Sequence, residues 1–206
     1  VSVRDVLDHL DAGRDLPAKT CLFRVDVDSD PAFSLWAARV VADLGGTGSV
    51  YYRLITADRA MMQAVRGLGL EVGYHFEEVA TLAKRVGWRD KAAALAHLGR
   101  AQTLFERNFA RFEQRLGAKV ETVASHGDFV NRRLGLTNSV LVDADVRARL
   151  GIRAEAYDNR LTRAMDTAVM DAVAPDVWTP CDPLEAGGAA GAGPHRIRLL
   201  VHPYKW

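Results

Sequence analysis

Cysteine is scarce in this chain. Cys21 and Cys181 are the only two among 206 residues. They stand far apart and without metal-type spacing, so neither a disulfide framework nor a thiolate metal site is expected, and reduced thiols point to the cytoplasm. A surplus of charge of either sign is missing too. The 27 basic residues against 26 acidic ones leave a formal charge of +1, which provides no global field to gather nucleic acid or anionic lipid. No apolar run approaches the roughly 20 residues needed to span a bilayer, and no basic-then-apolar leader precedes the first helical stripe. Internal repeats are absent, and Gly/Ala enrichment is confined to 186–193, which is expected to be a flexible surface loop. What remains is 49% hydrophobic and 26% charged, an ordinary globular composition, long enough for one domain over residues 1–206 with a full core.

The most informative stretch is Leu22-Phe23-Arg24-Val25-Asp26-Val27-Asp28. It alternates apolar and charged residues as a strand does, so Arg24, Asp26 and Asp28 share one face. Two carboxylates and a guanidinium at a strand end, closed by Ser29-Asp30-Pro31, are costly to bury without a partner such as a metal ion.

Around it the chain alternates. A helical stripe spans Val3 to Leu10, a second Phe33 to Leu44, a third Ala57 to Leu68; strands are expected at 49–54, 70–75, 120–124, 152–157, 168–170 and 197–202. Residues 91–116 carry an apolar stripe through Leu98, Phe105 and Phe112 and are expected to form one long helix, and 131–138 to be a polar loop. Strand-helix alternation of this kind signals parallel strands with crossover helices. In such folds ligands collect at the carboxyl ends of the strands. There the sequence places Asp26 and Asp28, His75, His126 and His202. Aspartate with neutral imidazole is an ordinary ligand set for catalytic Zn²⁺ or a similar ion.

Four pieces of the sequence, in this order, resemble the polysaccharide deacetylase superfamily, also called carbohydrate esterase family 4 or the NodB-homology fold. They are Arg24-Val25-Asp26-Val27-Asp28 followed by Ser-Asp-Pro, Gly69 to His75, Ser125-His126-Gly127, and Leu199-Leu200-Val201-His202-Pro203. The resemblance is to a divergent bacterial branch with an Arg-x-Asp-Val-Asp first motif. It implies a distorted (β/α) barrel of about seven parallel strands, a divalent metal (Zn, or else Co, Mn or Ni), and hydrolysis of an N-acetyl group on an amino sugar or glycan precursor by metal-activated water.

Carried over position by position, the resemblance makes Asp26 the general base, Asp28 a metal ligand displaced by one residue, and His75 the first metal-binding histidine. Val79 stands where the second histidine belongs and cannot ligate, so His126 is its replacement. His202 matches the late-motif general acid, and no Arg-x-Pro-Tyr motif follows His126. Arg24 is expected to orient Asp26 or hold a substrate carboxylate or phosphate, with Arg53, Asn131 and Glu155 as further substrate contacts. Asp128, Tyr157 and Asp171 are close enough in sequence to strand ends to line the cleft. Glu77 and Glu78 are read as first-turn helix acids, and His9, His97 and His195 as surface residues. Trp178 and Trp206 suit burial as well as stacking on a sugar. Two rivals remain: a degenerate member that binds glycan or metal without catalysis, and a C–N hydrolase acting on a non-sugar amide.

Overall fold

The computed structural model describes residues 1–171, 177–188 and 195–202. The order is α1 (Val3–Asp11), β1 (Lys19–Val27), α2 (Pro31–Asp43), β2 (Ser49–Tyr52), α3 (Arg59–Gly67), β3 (Glu71–Phe76), α4 (Glu78–Val86), α5 (Lys91–Ala96), α6 (Leu98–Leu116) and β4 (Thr122–Ser125). There follow α7 (Phe129–Leu134), a 3-10 turn (Asn138–Leu141), α8 (Ala144–Leu150), β5 (Ala154–Glu155), α9 (Asn159–Arg163), β6 (Thr167–Asp171), β7 (Trp178–Thr179), α10 (Pro183–Gly188) and β8 (His195–Val201). The helix starts are written in short polar side chains. Ser2 and Asp5 form a capping box on α1, and the Asp30 carboxylate accepts the Ala32 N–H just before Pro31 sets the first turn of α2.

The eight strands form one curled sheet in the order β5-β4-β3-β2-β1-β8-β6-β7, a half-barrel. All adjacent pairs run parallel except β6 with β7. The expected barrel is therefore present with one strand more than anticipated, and among the described residues no ladder joins β5 to β7 to close it.

Period-two alternation sorts the strands into two faces. Val25 and Val27, Val50 and Tyr52, Val72, Tyr74 and Phe76, and Val123 face the outer helices and join the larger apolar core. The opposite parity faces the concave side. Its N-terminal end is sealed by α1, whose Val3, Val6 and Leu7 pack with Leu22, Tyr51, Ala124 and Ala154. Beside that plug the buried Glu71 carboxylate accepts hydrogen bonds from Ser49 Oγ (2.6 Å), Thr122 Oγ1 (2.5 Å) and the Arg4 N–H (3.1 Å). This is how an interior carboxyl is tolerated. The same parity then carries Arg24, Asp26 and His75 up to the open end.

Several local expectations change. The 91–116 stretch is broken at His97, whose backbone (φ −117°, ψ 19°) leaves the helix and whose ring stacks on Trp88 at 6.0 Å. The expected 131–138 loop holds the last four residues of α7 and the start of the 3-10 turn, because Asp128 and Asn131 form a reciprocal capping box. His195, expected in a loop, opens β8, and the expected loop at 186–193 begins inside α10. Residues 189–193 and Trp206 lie outside the described residues.

Gly73 on β3 fills a position no side chain can share. A Cβ there would stand 2.4 Å from the Tyr51 ring and 2.6 Å from the Thr122 carbonyl oxygen. Neither neighbour has room to withdraw, since Tyr51 is fully buried and the carbonyl is backbone. Gly73→Ala is expected to destabilise the protein by about 1–3 kcal/mol, the range for overpacking a core. Urea unfolding checks this, and an unchanged midpoint would refute the crowding.

Candidate metal centre and acid–base groups

Each candidate side chain stands at or just beyond the carboxyl end of a strand. Asp26 and Asp28 come from β1, His75 from β3, His126 from the residue after β4, and His202 from the residue after β8. The His126 N–H donates to the Phe76 carbonyl at 2.8 Å, which extends the β3–β4 pairing one step and brings the two imidazoles edge to face, with ring centroids 5.1 Å apart.

Asp28 Oδ1 lies 3.4 Å from His75 Nε2 and 3.4 Å from His126 Nε2. The three donor atoms fall within 4.8 Å of one another. In a tetrahedral site with bonds of about 2.0–2.1 Å, ligand atoms stand roughly 3.3–3.4 Å apart. Their hydrogen bonding agrees with that use. His75 Nδ1–H donates to the Ala124 carbonyl at 3.0 Å; Asp26 and Asp28 beside Nε2 outweigh burial and favour a proton there, and a cation would take the lone pair that Nε2 gains on losing it. Asp28 Oδ1 is buried and makes no hydrogen bond. An inward-facing carboxylate oxygen flanked by two imidazole nitrogens fits a divalent cation. Asp28, His75 and His126 are the residues that would hold one.

A supporting layer surrounds them. His126 Nδ1 faces Glu77 Oε2 at 3.4 Å, and Glu77 is held by Arg53 through Nη2 (2.6 Å) and Nε (3.2 Å) to Oε1. Arg53 Nη1 also donates to the Asp28 carbonyl at 3.2 Å. Burial pushes the Glu77 carboxyl up, but His126 and Arg53 outweigh it and bring it down to about 2. Glu77, read from sequence as a helix-start acid, is thus placed behind His126. An acidic residue two positions beyond a strand-end histidine was the available signal.

Asp26 is paired differently. Arg24, 1% exposed, donates Nε to Oδ1 (2.7 Å) and Nη2 to Oδ2 (2.6 Å), a two-pronged pair between residues two apart on one strand face. The Arg24 guanidinium lies 4.4 Å from the centre of the Tyr157 ring and 5.3 Å from that of Tyr51. Burial raises the Asp26 carboxyl, but Arg24 and then His75 more than compensate, and it stays ionised below the usual carboxylate range. His75 Nε2 is 3.4 Å from Asp26 Oδ2, so Asp26 borders the donor triad. Asp28 is likewise held low: burial raises it, and His75 and His126 lower it.

His202 is anchored by Asp171 at the end of β6. Its Nδ1–H donates to Asp171 Oδ1 at 2.6 Å and its backbone N–H to Oδ2 at 2.6 Å. The sequence offered Asp171 only as one of several possible cleft residues.

Of the four expected substrate contacts, Arg24 is spent on Asp26 and Arg53 on Glu77. Asn131 and Glu155 are buried and committed to backbone. Asn131 donates to the Leu136 carbonyl and caps α7, while the Glu155 oxygens accept the Ser125 and Tyr157 N–H groups at 2.8 Å each. Glu155 thereby shapes the loop that bears His126, and Asn131 receives Asn138, which also donates to the His126 carbonyl. Their role in the geometry is support. Val79, at the expected second-histidine position, is buried in the larger core.

No protein-family model matches the sequence, and no curated protein is similar to it. Solved structures are similar. A carbohydrate esterase family 4 pseudoenzyme from Bacillus anthracis superposes with a TM-score of 0.51 at 12% identity, over 90% of this chain and 55% of that one. A mutant of this pseudoenzyme with restored enzymatic activity gives the same score and identity over 90% and 57%. The chain has the polysaccharide deacetylase fold. A family 4 carbohydrate esterase from Streptomyces lividans aligns less well, at 0.47 and 15% identity over 90% of this chain and 79% of that one. The chain therefore spans 55% of the length of the first of these deacetylase-fold structures.

Two outcomes are expected. With the donor set described, His75→Ala and His126→Ala each abolish uptake of Zn²⁺ or Co²⁺, and Glu77→Gln weakens it roughly 10- to 100-fold, the range for losing a group that orients a ligand histidine. Equilibrium dialysis with elemental analysis reads this, and undiminished uptake in His75→Ala would refute the site. In metal-free protein, Glu77 ionises at about 2 when folded and about 4.3 when unfolded. Its stabilising contribution is therefore complete above the unfolded value and is lost as pH falls toward the folded one. Glu77→Gln is expected to flatten that part of the acid limb in denaturant titrations, and an unchanged slope would contradict the assignment.

Proposed function

We propose that the protein is a metal-dependent hydrolase that removes an N-acyl group, acetyl by resemblance, from an amino sugar or glycan precursor. The observation that supports this best is the convergence, at one end of the half-barrel, of a cation-shaped donor triad, an ionised aspartate bordering it, and a carboxylate-anchored histidine. A divalent metal on Asp28, His75 and His126 would supply Lewis acidity toward the acyl oxygen and make water a better nucleophile. Zinc suits the two-nitrogen, one-oxygen set.

The chain's own groups perform the proton transfers. Asp26 is kept deprotonated by Arg24 and accepts a proton from the attacking water as the new C–O bond forms. His202, with Nδ1 committed to Asp171, delivers a proton from Nε2 to the amine as the C–N bond breaks, giving a carboxylate and a free amine. Arg24 fixes the orientation of the base without being consumed. The two free cysteines, Cys21 and Cys181, suit a reducing compartment and so a cytoplasmic substrate such as a glycan precursor. Among the described residues no helix is long and apolar enough to cross a membrane.

The rival reading is a member of the fold that binds without turnover. Val79 in place of a ligand histidine favours it, and the similar Bacillus anthracis protein is itself a pseudoenzyme. Acetate release from acetylated amino sugars and chitin oligosaccharides, measured with Zn²⁺- or Co²⁺-loaded protein, separates the two. Catalysis is expected to fall by a factor of about 10²–10⁴ in His202→Ala and in Asp26→Asn, the usual contribution of one general acid or base, with metal content unchanged. Fully loaded wild type that releases no acetate from any of these would leave the binding reading standing.

A further inference from the structure

The near-neutral chain carries a row of arginines without salt bridges between two of its helices. On α6, Arg100, Arg107 and Arg111 follow one another at intervals of seven and four residues, so they lie along one face of the helix. Arg85 on α4 faces them. All four are exposed, and among the described residues none has an acidic partner within salt-bridge distance. The two helices bound two adjoining hollows of about 330 and 210 Å³ that share Arg85, Leu104 and Arg107 as walls. The second hollow also has Glu77 and Glu78 in its lining, so the groove ends beside Glu77, the carboxylate that faces His126.

We propose that this groove binds the anionic groups of an acidic glycan chain whose acylated sugar occupies the centre. The inference rests on the hydrolase reading and supplies its substrate class. Four exposed guanidinium groups with no salt-bridge partner among the described residues give the outer part of the groove, beyond Glu77 and Glu78 at its inner end, a local positive potential that the whole-chain charge of +1 conceals. From Arg100 to Arg111 the row spans about 16 Å at the α-helical rise of about 1.5 Å per residue. That length matches several anionic groups spaced along an extended chain and exceeds what a single phosphate or carboxylate can bridge. Between the arginines the walls are Leu82, Leu104 and Thr103. Among the described residues the groove has no exposed aromatic ring on which bases could stack, which favours a glycan over single-stranded nucleic acid.

The test uses intact protein and calorimetry with three probes: a short oligogalacturonate, a neutral chitin oligosaccharide and a single-stranded oligonucleotide. Oligogalacturonate is expected to bind most tightly, to weaken as NaCl rises, and to lose roughly tenfold in affinity in Arg107→Gln/Arg111→Gln. Chitin binding is expected to be unchanged by that pair. Arg107→Lys/Arg111→Lys, which keeps the charge, is expected to retain most of the affinity, and circular dichroism verifies that every variant is folded. Equal oligogalacturonate binding in wild type and the Gln variant would overturn the proposal, even in a protein that releases acetate. Tighter, arginine-dependent binding of the oligonucleotide would overturn the glycan assignment. Arginine-dependent oligogalacturonate binding in a protein inert toward every acetylated sugar would uphold the groove while refuting the hydrolase reading.

Discussion

The arrangement at the mouth of the half-barrel depends on the ion pair between Arg24 and Asp26. Both are 1% exposed, and an isolated charge at that depth would neutralise or drag the strand toward water. The pair is tolerated because it is two-pronged, lies between two tyrosine rings and comes from a single strand, so no tertiary adjustment is needed to align it. Breaking it would leave a buried charge, a loss of about 3–5 kcal/mol in comparable cases. With Arg24 in place, Asp26 keeps its negative charge beside Asp28, and a second carboxylate becomes possible within reach of the same imidazole. Two carboxylates so close would otherwise share a proton. The cation in the wall of the barrel is therefore what frees Asp28 to face His75 and His126.

The two ends of the concave face divide the labour. Toward the N-terminal ends of the strands, α1 and the apolar residues packed on it close the interior, and the one buried carboxyl there, Glu71, is fully occupied by hydroxyl and backbone donors. Burial pushes that carboxyl up. Toward the carboxyl ends the donors run out: Asp28 Oδ1 makes no hydrogen bond. Two acidic side chains in one barrel thus differ in what surrounds them: Glu71 is satisfied by hydroxyl and backbone donors, and Asp28 keeps one oxygen without a hydrogen bond.

Much of this was legible in sequence because strand alternation is a local code. The parity of Arg24, Asp26 and Asp28 places all three on one face whatever the rest of the chain does, and the strand-helix rhythm sets which ends converge. Gly73 shows the limit of that code. It reads as an unremarkable strand residue until the ladder with β2 and β4 brings Tyr51 and Thr122 against it. The same holds for Glu77 with Arg53 and for His202 with Asp171, pairs separated by 24 and 31 residues, whose association no spacing rule announces. Asn131 and Glu155, expected as substrate contacts, show the limit in the opposite sense. Polar residues near a histidine suggest ligand contact, whereas these two bond to backbone groups around the His126 loop. The α7 start is legible in the spacing of Asp128 and Asn131, three apart as a capping box requires, although the composition of the run is that of a polar loop.

The replacement of a ligand histidine by Val79 need not disable a site of this shape. Val79 is the second residue of α4 and packs with the outer core, whereas His126 faces the Asp28 oxygen that His75 also faces, from the neighbouring strand end. Moving a ligand from helix to strand end changes what stiffens it. A helical histidine is held by its own backbone; His126 is held by the Asn138 amide on its carbonyl and by Glu77 facing its ring. Its orientation is thus coupled to Arg53, which touches both Glu77 and the Asp28 backbone. The donor triad and its supports form one connected set across β1, β2, β3 and β4. Charge pairing thus steadies His126, and the cation-shaped donor set is present with a valine at position 79.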